Sequence, residues 1–299
     1  MLRWRLLSAG VILSLAITFA GLDFVQAGGV PPGGWLILCL LLVTGLAAEE
    51  CLSLLSAKDL RPVQWSVYAG TLLVTLAFAL PIVAGQSTAL SFEVSAPLSA
   101  LALAVCLVFV AEMSRFHGPA QHIVHIAVAI FVIMYVGVLG GFMTALRIYN
   151  NDNALGMTAL LSMIVVVKSS DVGAYAFGRL LGRTKLTPRL SPGKTVEGAL
   201  GGILTACVSS WVFFHFIAPQ LRGGSPYVPP AWLMTSLYGF ALAVAGIIGD
   251  LAESLFKRDM GRKDSSTWLP GLGGVLDVID SLLVGAPVAY LCWEVGLVS

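Results

Sequence analysis

Long apolar runs separated by short polar segments make up most of the chain. Each run approaches the ~20 residues that a helix needs to cross about 30 Å of hydrocarbon. The pattern therefore predicts an all-α polytopic integral membrane protein with about nine transmembrane helices. The runs are Leu6–Leu22, Trp35–Leu55, Val63–Ala84, Ser95–Met113, Ile123–Leu146, Leu155–Phe177, Val196–Ile217, Trp232–Ile248 and Val275–Val298.

Composition supports this fold class. Apolar residues make up 58% of the 299 residues, charged residues only 11%, and the mean hydropathy is +0.90. A soluble domain carries about 25% charged residues, so we expect the bilayer to be this chain's solvent. A net charge of +1 argues against nucleic acid as a partner. The cysteines lie singly in apolar runs without metal-ligand spacing and are interpreted as structural: Cys39, Cys51, Cys106, Cys207 and Cys292.

Basic residues predict the orientation. If the N-terminus is cytoplasmic, fourteen of the seventeen Lys and Arg residues lie in inside segments. The outside segments hold only Arg147 and Arg222, and Lys168 lies within a span. This asymmetry follows the positive-inside rule and predicts a cytoplasmic N-terminus and an outside C-terminus. A rival interpretation of the first span is a signal peptide, because Arg3 and Arg5 precede its apolar stretch.

The chain divides unevenly at about residue 150. Residues 1–150 are apolar spans joined by short loops and are predicted to form a transmembrane scaffold. Residues 151–299 add two long inside loops, 179–195 and 250–274, which are rich in charge, Gly and Pro. Because loops on rigid scaffolds concentrate function, residues 151–299 are predicted to be the catalytic region.

The first polar cluster lies where the eighth span meets the cytoplasm. On a helix, Asp250, then Glu253 or Ser254, then Lys257 follow at i, i+3 or i+4, and i+7, which places them on one face. An acid, a hydroxyl and an amine stacked in this way can hold a metal ion and a phosphate together. The alternative is a solvated helix end with an acid–base pair.

The second cluster follows in the next loop. Gly273 and Gly274 belong to a glycine-rich stretch whose backbone can approach a ligand closely and present N–H groups to it. Asp277 and Asp280 are spaced i, i+3 on the opening turns of an apolar helix. Two carboxylates at a membrane boundary are costly unless they are paired or bind a metal, and acids that complement a helix dipole explain one Asp better than two. Oxygen ligands favour Mg²⁺, which takes carboxylates together with substrate phosphates.

The third cluster begins with Asp171, an acid within the sixth span and for that reason a candidate functional residue. It continues to Ser-Pro-Gly-Lys-Thr at 191–195, which contains Lys194 and Thr195. The Gly-x-x-x-x-Gly-Lys-Ser/Thr spacing of a phosphate loop is absent, which excludes a Walker-type ATPase. What remains is an amine and hydroxyls at a helix start, which are able to grip phosphate oxygens.

Several isolated polar residues carry weaker signals. Glu49 and Glu50 end one span and Glu112 ends another, and all three are interpreted as boundary anchors or interhelical partners. His122 and His125 are spaced i, i+3 with no third ligand nearby, so a metal role is not expected of them.

Taken together, two long stretches resemble a family signature. Residues Ser254–Asp264 and Leu269–Ser281 resemble the signature of phosphatidate cytidylyltransferases, also called CDP-diacylglycerol synthases. Asp171–Tyr175 and Ser191–Gly198 resemble that family's upstream motifs, in the same order. The resemblance is dense in motifs over about 165–285. It implies a multi-span α-helical enzyme of phospholipid biosynthesis that uses Mg²⁺ and transfers CMP from CTP to phosphatidate, giving CDP-diacylglycerol and pyrophosphate.

The resemblance also implies roles for the matching residues. The implied metal ligands are Asp250, Asp277 and Asp280. The catalytic residues would be these three together with one hydroxyl and two amines, namely Ser254, Lys257 and Lys263. A further set would line the polar cavity and bind substrate: Asp171, Lys194, Thr195, Glu197, Arg258, Asp264, Gly273 and Gly274.

Two positions depart from the family pattern. The family usually has His where this chain has Leu272, and Arg where it has Val278. Losing an imidazole and a guanidinium removes two phosphate or carboxylate contacts, each worth about 1.5–3 kcal/mol as a charge-assisted hydrogen bond. The carboxylates remain, so we expect metal binding to survive while activity or substrate choice shifts.

Three alternatives stay open. One is a related CTP-dependent lipid kinase or a cytidylyltransferase for another lipid phosphate. A second is a transporter that uses the intramembrane residues Asp171 and Lys168. The third is a non-catalytic paralogue, because of Leu272 and Val278. The expected location is the bacterial inner membrane, and the sequence is compatible with a homodimer.

Overall fold

The computed structural model describes residues 2–80, 90–118, 121–223, 227–269, 271 and 273–298. The chain forms two compact units, each built from two stretches. Unit 1 comprises Met1–Asn151 and Asp259–Val278, and unit 2 comprises Asp152–Arg258 and Ile279–Ser299. The glycine-rich loop before the last helix therefore belongs to the unit that the N-terminal helices build.

Unit 1 consists of apolar helices. Helix α3 packs against α2 and α4, and a π-helical segment, Ile133–Val138, joins α5 to α6 without a break. Short 3-10 turns occupy Ala27–Gly29 and Tyr149–Asn151. The helices are α1 (Leu2–Phe24), α2 (Gly34–Ser56), α3 (Gln64–Ala77), α4 (Leu90–Ser114), α5 (His122–Val132) and α6 (Leu139–Arg147).

A buried ion pair ties together three helix ends in unit 1. The Arg147 guanidinium, at the end of α6, lies 2.6 Å from the carboxylate of Asp23 at the end of α1, and both side chains are at most 1% exposed. The same carboxylate accepts hydrogen bonds from the backbone N–H groups of Gly33, Trp35 and Leu36 at the start of α2. These N–H groups are the ones that a helix start leaves without a partner, so Asp23 acts as their cap.

Unit 2 carries the longest helices and a small hairpin. Strands β1 (Lys185–Thr187) and β2 (Ser191–Thr195) pair antiparallel within the basic segment that the sequence analysis treated as a loop. Asp152 caps the first helix by accepting a hydrogen bond from the Leu155 N–H at 2.8 Å. The helices are α7 (Asn153–Leu181), α8 (Val196–Val212), α9 (Ala218–Leu221), α10 (Trp232–Asp259) and α11 (Val275–Glu294), and a π-helical segment, Phe213–Ile217, follows α8. The last residue of α10 and the first four of α11 belong to unit 1.

Small residues allow α7 and α8 to pack closely. A Cβ on Gly202 of α8 would lie 3.0 Å from the Ser170 carbonyl oxygen of α7, and one on Gly198 would lie 2.8 Å from that of Ala174. Helices in a membrane associate through such small residues because lipid offers no hydrophobic drive for helix association. The close packing sets the position of Asp171, on α7, and of the hairpin that leads into α8.

Seven helical stretches in the described part of the chain are long and apolar enough to cross a membrane. Two of them join several of the segments named above: His122–Asn151 contains α5 and α6, and Val196–Leu221 contains α8 and α9. Between 28% and 56% of the most apolar stretch of each helix is buried inside the protein, and large side chains such as Leu42 and Leu103 are more than 60% exposed. Apolar surface on this scale suits lipid rather than water. The seven match seven of the predicted spans. Of the other two, the side chains of α1 are described only over Gly10–Phe24, which is too short a stretch to count, and Val63–Ala84 runs into residues outside the described part.

Candidate active site

The polar end of α10 carries the first group of candidate residues. A helix of 28 residues is about 42 Å long, which is more than the hydrocarbon thickness, so one end can leave the bilayer. Asp250, Glu253 and Lys257 follow one another on one face, as their spacing predicted. The Lys257 ammonium lies 2.5 Å from the Glu253 carboxylate, whose side chain is only 1% exposed.

Helix α11 adds a third carboxylate. One oxygen each from Asp250, Glu253 and Asp280 lies within 4.8 Å of the other two, and we call these three residues the carboxylate cluster. Glu253 and Asp280 are buried. Carboxylates this close repel one another in a poorly solvated place unless a cation or a proton compensates. The donor set, oxygen only and mostly buried, fits Mg²⁺.

Lysines from two further elements point at acids of unit 2. Lys194 of β2 lies 2.8 Å from Asp250, although 56 residues separate them in the chain. Lys168 of α7 lies 3.0 Å from Asp171 and donates to the Ser281 hydroxyl, which in turn donates to Asp171. Ser281 directly follows Asp280 in α11. Four carboxylates and three amines therefore line this part of unit 2.

Two of the predicted substrate-binding residues hold the hairpin in place. The Glu197 carboxylate accepts hydrogen bonds from the backbone N–H groups of Arg183 and Thr184 at 3.1 Å. The Thr195 hydroxyl caps α8 by accepting from the Gly198 N–H at 3.1 Å. These bonds fix the strand that carries Lys194. Direct contact of Thr195 or Glu197 with substrate stays a prediction.

The other predicted residues are divided between the two units. On α10 in unit 2, Ser254 is half-buried and Arg258 is exposed. Lys263 and Asp264 are exposed in the loop after α10, within unit 1. Leu272, one of the two departures from the family pattern, lies outside the described residues. The roles that the sequence implies for these side chains stay predictions.

A buried acid of α2 organises the glycine-rich loop in unit 1. Glu50, 1% exposed, accepts hydrogen bonds from the hydroxyls of Ser265 (2.9 Å) and Ser266 (2.7 Å). It also accepts from the N–H groups of Val275 (2.9 Å) and Leu276 (2.8 Å), the first two residues of α11. We call Glu50 with these four donors the Glu50 cap. Helix starts leave such N–H groups without partners, and here a distant carboxylate satisfies them.

Asp277 accepts hydrogen bonds from the same loop as Glu50. Its carboxylate accepts from the Ser265 N–H (3.1 Å) and the Gly274 N–H (2.7 Å). It also lies 2.7 Å from the Ser265 hydroxyl, whose single proton is shared between Asp277 and Glu50. A Cβ on Gly274 would overlap the Glu50 carboxylate and the Ser265 hydroxyl, so a larger residue there would displace these hydrogen-bonded groups. The metal role implied for Asp277 stays a prediction, while its hydrogen bonds give it a part in ordering this loop.

Comparison with known proteins places the chain in a family. A model of the cytidylyltransferase family matches residues 8–295. The chain belongs to the cytidylyltransferase family. The family match covers nearly the whole chain, including both units.

Named relatives fall into two groups. Phosphatidate cytidylyltransferases of Haemophilus influenzae and Helicobacter pylori are each 42% identical, over 150 and 163 residues. These matches cover 50% and 54% of this chain, and 50% and 55% of those proteins. The chain thus spans about half the length of these relatives. YnbB of Escherichia coli, an uncharacterised protein, is 33% identical over 252 residues, which are 83% of this chain and 76% of that protein.

Sequence reasoning missed several members of these polar groups. Glu50 was interpreted as a boundary anchor or an interhelical partner, but its partners in a loop more than 200 residues away were not identified, because nothing in the sequence links them to it. Lys168 was considered only under the transporter alternative, and Ser281 was only the last residue of a motif. Glu253 was weighed as an alternative to Ser254, although its i, i+3 spacing from Asp250 was the available signal.

Proposed function

We propose that this member of the cytidylyltransferase family transfers CMP from CTP to phosphatidate, giving CDP-diacylglycerol and pyrophosphate. The observation that carries the proposal is the carboxylate cluster of Asp250, Glu253 and Asp280, with lysines beside it, at the polar end of membrane-spanning helices. The names of the relatives in Haemophilus influenzae and Helicobacter pylori support the choice of phosphatidate as acceptor.

The reaction needs little general acid–base catalysis from the protein. A phosphate oxygen of phosphatidate attacks the α-phosphorus of CTP, and the bond from that phosphorus to the bridging oxygen of the β-phosphate breaks. Pyrophosphate leaves with the bonding electron pair. Since the attacking phosphate monoester is already anionic, no strong general base is needed, and catalysis comes from positioning and charge neutralisation.

Within unit 2, Asp250, Glu253 and Asp280 would hold Mg²⁺. Such an ion, when bound, neutralises phosphate oxygens and holds them in a fixed geometry. The carboxylates fit this task because their oxygens converge within 4.8 Å and two of the three side chains are buried. Burial keeps water from competing for the ligand oxygens and strengthens the attraction between cation and carboxylate.

The lysines of unit 2 would offset the charge of the substrates. Lys194 and Lys257 form ion pairs with Asp250 and Glu253, so their ammonium groups lie beside the place where phosphates would bind. Lys168 is held by Asp171 and Ser281 and would add a third positive charge. Amines that carboxylates already position lose little entropy when they meet a phosphate, which favours charge stabilisation as pyrophosphate departs.

The proposal includes a topology. We infer nine spans with a cytoplasmic N-terminus, in the inner membrane of a bacterium, which places the basic loops on the side where CTP is found. The Asp23–Arg147 pair supports an even number of crossings between the ends of α1 and α6, because it joins those two ends. Phosphatidate would enter sideways from the inner leaflet, and a homodimer is compatible with this arrangement.

Labelled CTP tests the reaction directly. Membranes that contain the chain are incubated with phosphatidate, Mg²⁺ and CTP labelled at either the α- or the γ-phosphate. Cytidylyl transfer moves only the α-label into lipid and releases the γ-label in pyrophosphate. Appearance of the γ-label in lipid would establish a kinase instead, and absence of both labels from lipid would favour the non-catalytic alternative.

A further inference from the structure

The ends of α4 and α5 bring together a second group of metal-ligand side chains. Glu112 lies near the end of α4, while His122 and His125 lie on the first turn of α5. One donor atom from each of the three lies within 4.8 Å of the other two. The expectation that no third ligand lies near the histidines was wrong, because the end of α4 supplies Glu112. All three residues belong to unit 1, and none belongs to the carboxylate cluster.

The donor atoms face one another at short range. His122 Nδ1 lies 3.0 Å from Glu112 Oε2, and His125 Nδ1 lies 3.9 Å from the same oxygen. The Glu112 side chain is 2% exposed, and those of His122 and His125 are 18% and 12% exposed. A tetrahedral zinc ion with ligands at 2.0–2.1 Å holds its donor atoms about 3.3–3.4 Å apart, so small shifts would suffice.

Two atoms of this group lack hydrogen-bond partners among the described residues. They are Oε1 of Glu112 and Nδ1 of His125. The Arg115 guanidinium approaches that oxygen only to 4.0 Å, and it donates instead to the Arg61 carbonyl at 2.8 Å. A buried carboxylate oxygen without a partner carries a large desolvation cost, which a bound cation would remove.

We propose that Glu112, His122 and His125 bind a divalent transition metal of the zinc class. Two imidazole nitrogens and one carboxylate oxygen are a donor set that such metals take, whereas Mg²⁺ and Ca²⁺ prefer oxygen ligands alone. Binding requires neutral imidazoles with a lone pair directed at the ion, so it would replace the His122–Glu112 hydrogen bond. The metal would clamp the end of α4 to the start of α5.

Equilibrium binding of Zn²⁺ to the full-length chain tests the proposal. The protein is purified in detergent without a histidine tag, stripped of metal, and dialysed against Zn²⁺ in the presence of excess Mg²⁺. Because Mg²⁺ occupies oxygen-only sites, it suppresses Zn²⁺ binding at the carboxylate cluster. We expect one Zn²⁺ per chain, together with a higher thermal unfolding midpoint when zinc is present.

Substitutions of the proposed ligands test where the zinc ion binds. His125→Phe keeps the ring bulk, and the Nδ1 that it removes makes no hydrogen bond to any described residue, so folding should persist. Glu112→Gln keeps the shape of the acid. Each should weaken Zn²⁺ binding by about 100-fold or more, since substitution of residues that only hydrogen-bond to metal ligands already lowers metal affinity 10–100-fold. The matched control is His117→Phe, an exposed histidine of the same hairpin, which should bind zinc as the wild type does.

Two results would overturn the proposal. One is wild-type protein that takes up less than one Zn²⁺ per chain at saturating zinc. The other is wild-type affinity retained in both His125→Phe and Glu112→Gln, which would place the ion elsewhere. Loss of binding in these two variants, with full binding in His117→Phe, supports it.

Discussion

Two buried glutamates show how burial alone fails to identify a catalytic acid. Glu50 in unit 1 and Glu253 in unit 2 are both 1% exposed, and each lies on a long apolar helix. Glu50 meets two hydroxyls and two backbone N–H groups, all neutral donors. Glu253 meets one ammonium and two other carboxylates. The two glutamates therefore differ in the charge of the groups that contact them, not in their burial.

This difference assigns the two acids to different tasks. Neutral donors surround the Glu50 carboxylate, with the single Ser265 hydroxyl proton shared with Asp277, so Glu50 holds a loop and a helix start. Carboxylates that converge repel one another unless a cation or a proton compensates, and this is the condition that favours metal binding. Substitutions in the carboxylate cluster should therefore change Mg²⁺ dependence, whereas substitutions in the Glu50 cap should change stability.

The largest effect is expected for Asp280→Asn. Removing one carboxylate from the cluster weakens the hold on Mg²⁺ and on the substrate phosphates, and CMP transfer should fall about 100-fold or more. Thermal stability should be unchanged or higher, because repulsion within the cluster is relieved. Labelled-CTP assays and unfolding midpoints on purified protein measure both. Asp59→Asn, at an exposed acid, is the matched control and should behave as the wild type.

Asp277→Asn should abolish most Mg²⁺-dependent transfer while expression persists. Its contacts with Ser265 and Gly274 all reach one oxygen, Oδ2, and the amide oxygen of Asn can take that place. We therefore expect little change in the unfolding midpoint, so a loss of transfer would reflect the lost negative charge, as the metal role that the family resemblance implies for Asp277 requires. Full transfer activity in this variant would remove Asp277 from the catalytic machinery.

Glu50→Gln should destabilise the protein by about 2 kcal/mol. The amide keeps one acceptor oxygen but places an NH₂ group against hydroxyl and N–H donors, which leaves buried groups unsatisfied. Transfer should fall with the folded fraction, while the Mg²⁺ concentration for half-maximal rate should stay the same. Its partner in the comparison, Glu253→Gln, should raise that concentration about tenfold or more, in addition to any loss of stability from the broken Lys257 ion pair. If both variants shift the Mg²⁺ requirement equally, the distinction between the two acids fails.

The smallest effect is expected for Lys194→Met. Losing one charge-assisted contact to the substrate phosphates should raise the KM for CTP about tenfold, which corresponds to ~1.4 kcal/mol. The loss should shrink as ionic strength rises, because screening weakens the wild-type contact too. Initial rates at varied CTP measure it. Lys58→Met, at an exposed lysine of unit 1, serves as the control.

Local spacing made part of this site predictable. The common face of Asp250, Glu253 and Lys257 follows from helix periodicity, and the apolar runs indicated the helices themselves. The residues that these side chains contact could not be predicted from the sequence, because the contacts come from packing between distant segments. Lys194 meets Asp250 only because a hairpin, itself not predicted, places it there. Glu50 meets Ser265 across 215 residues, a pairing that no local pattern encodes.

The most direct test is the Mg²⁺ dependence of CMP transfer in wild-type, Asp280→Asn and Glu50→Gln membranes, measured side by side with α-labelled CTP and phosphatidate. We expect the wild type to form labelled CDP-lipid only with Mg²⁺, and Asp280→Asn to form almost none at any Mg²⁺ concentration. Glu50→Gln should form it at a lower rate with an unchanged half-maximal Mg²⁺ concentration. Wild-type Mg²⁺ dependence and rate in Asp280→Asn would contradict the account.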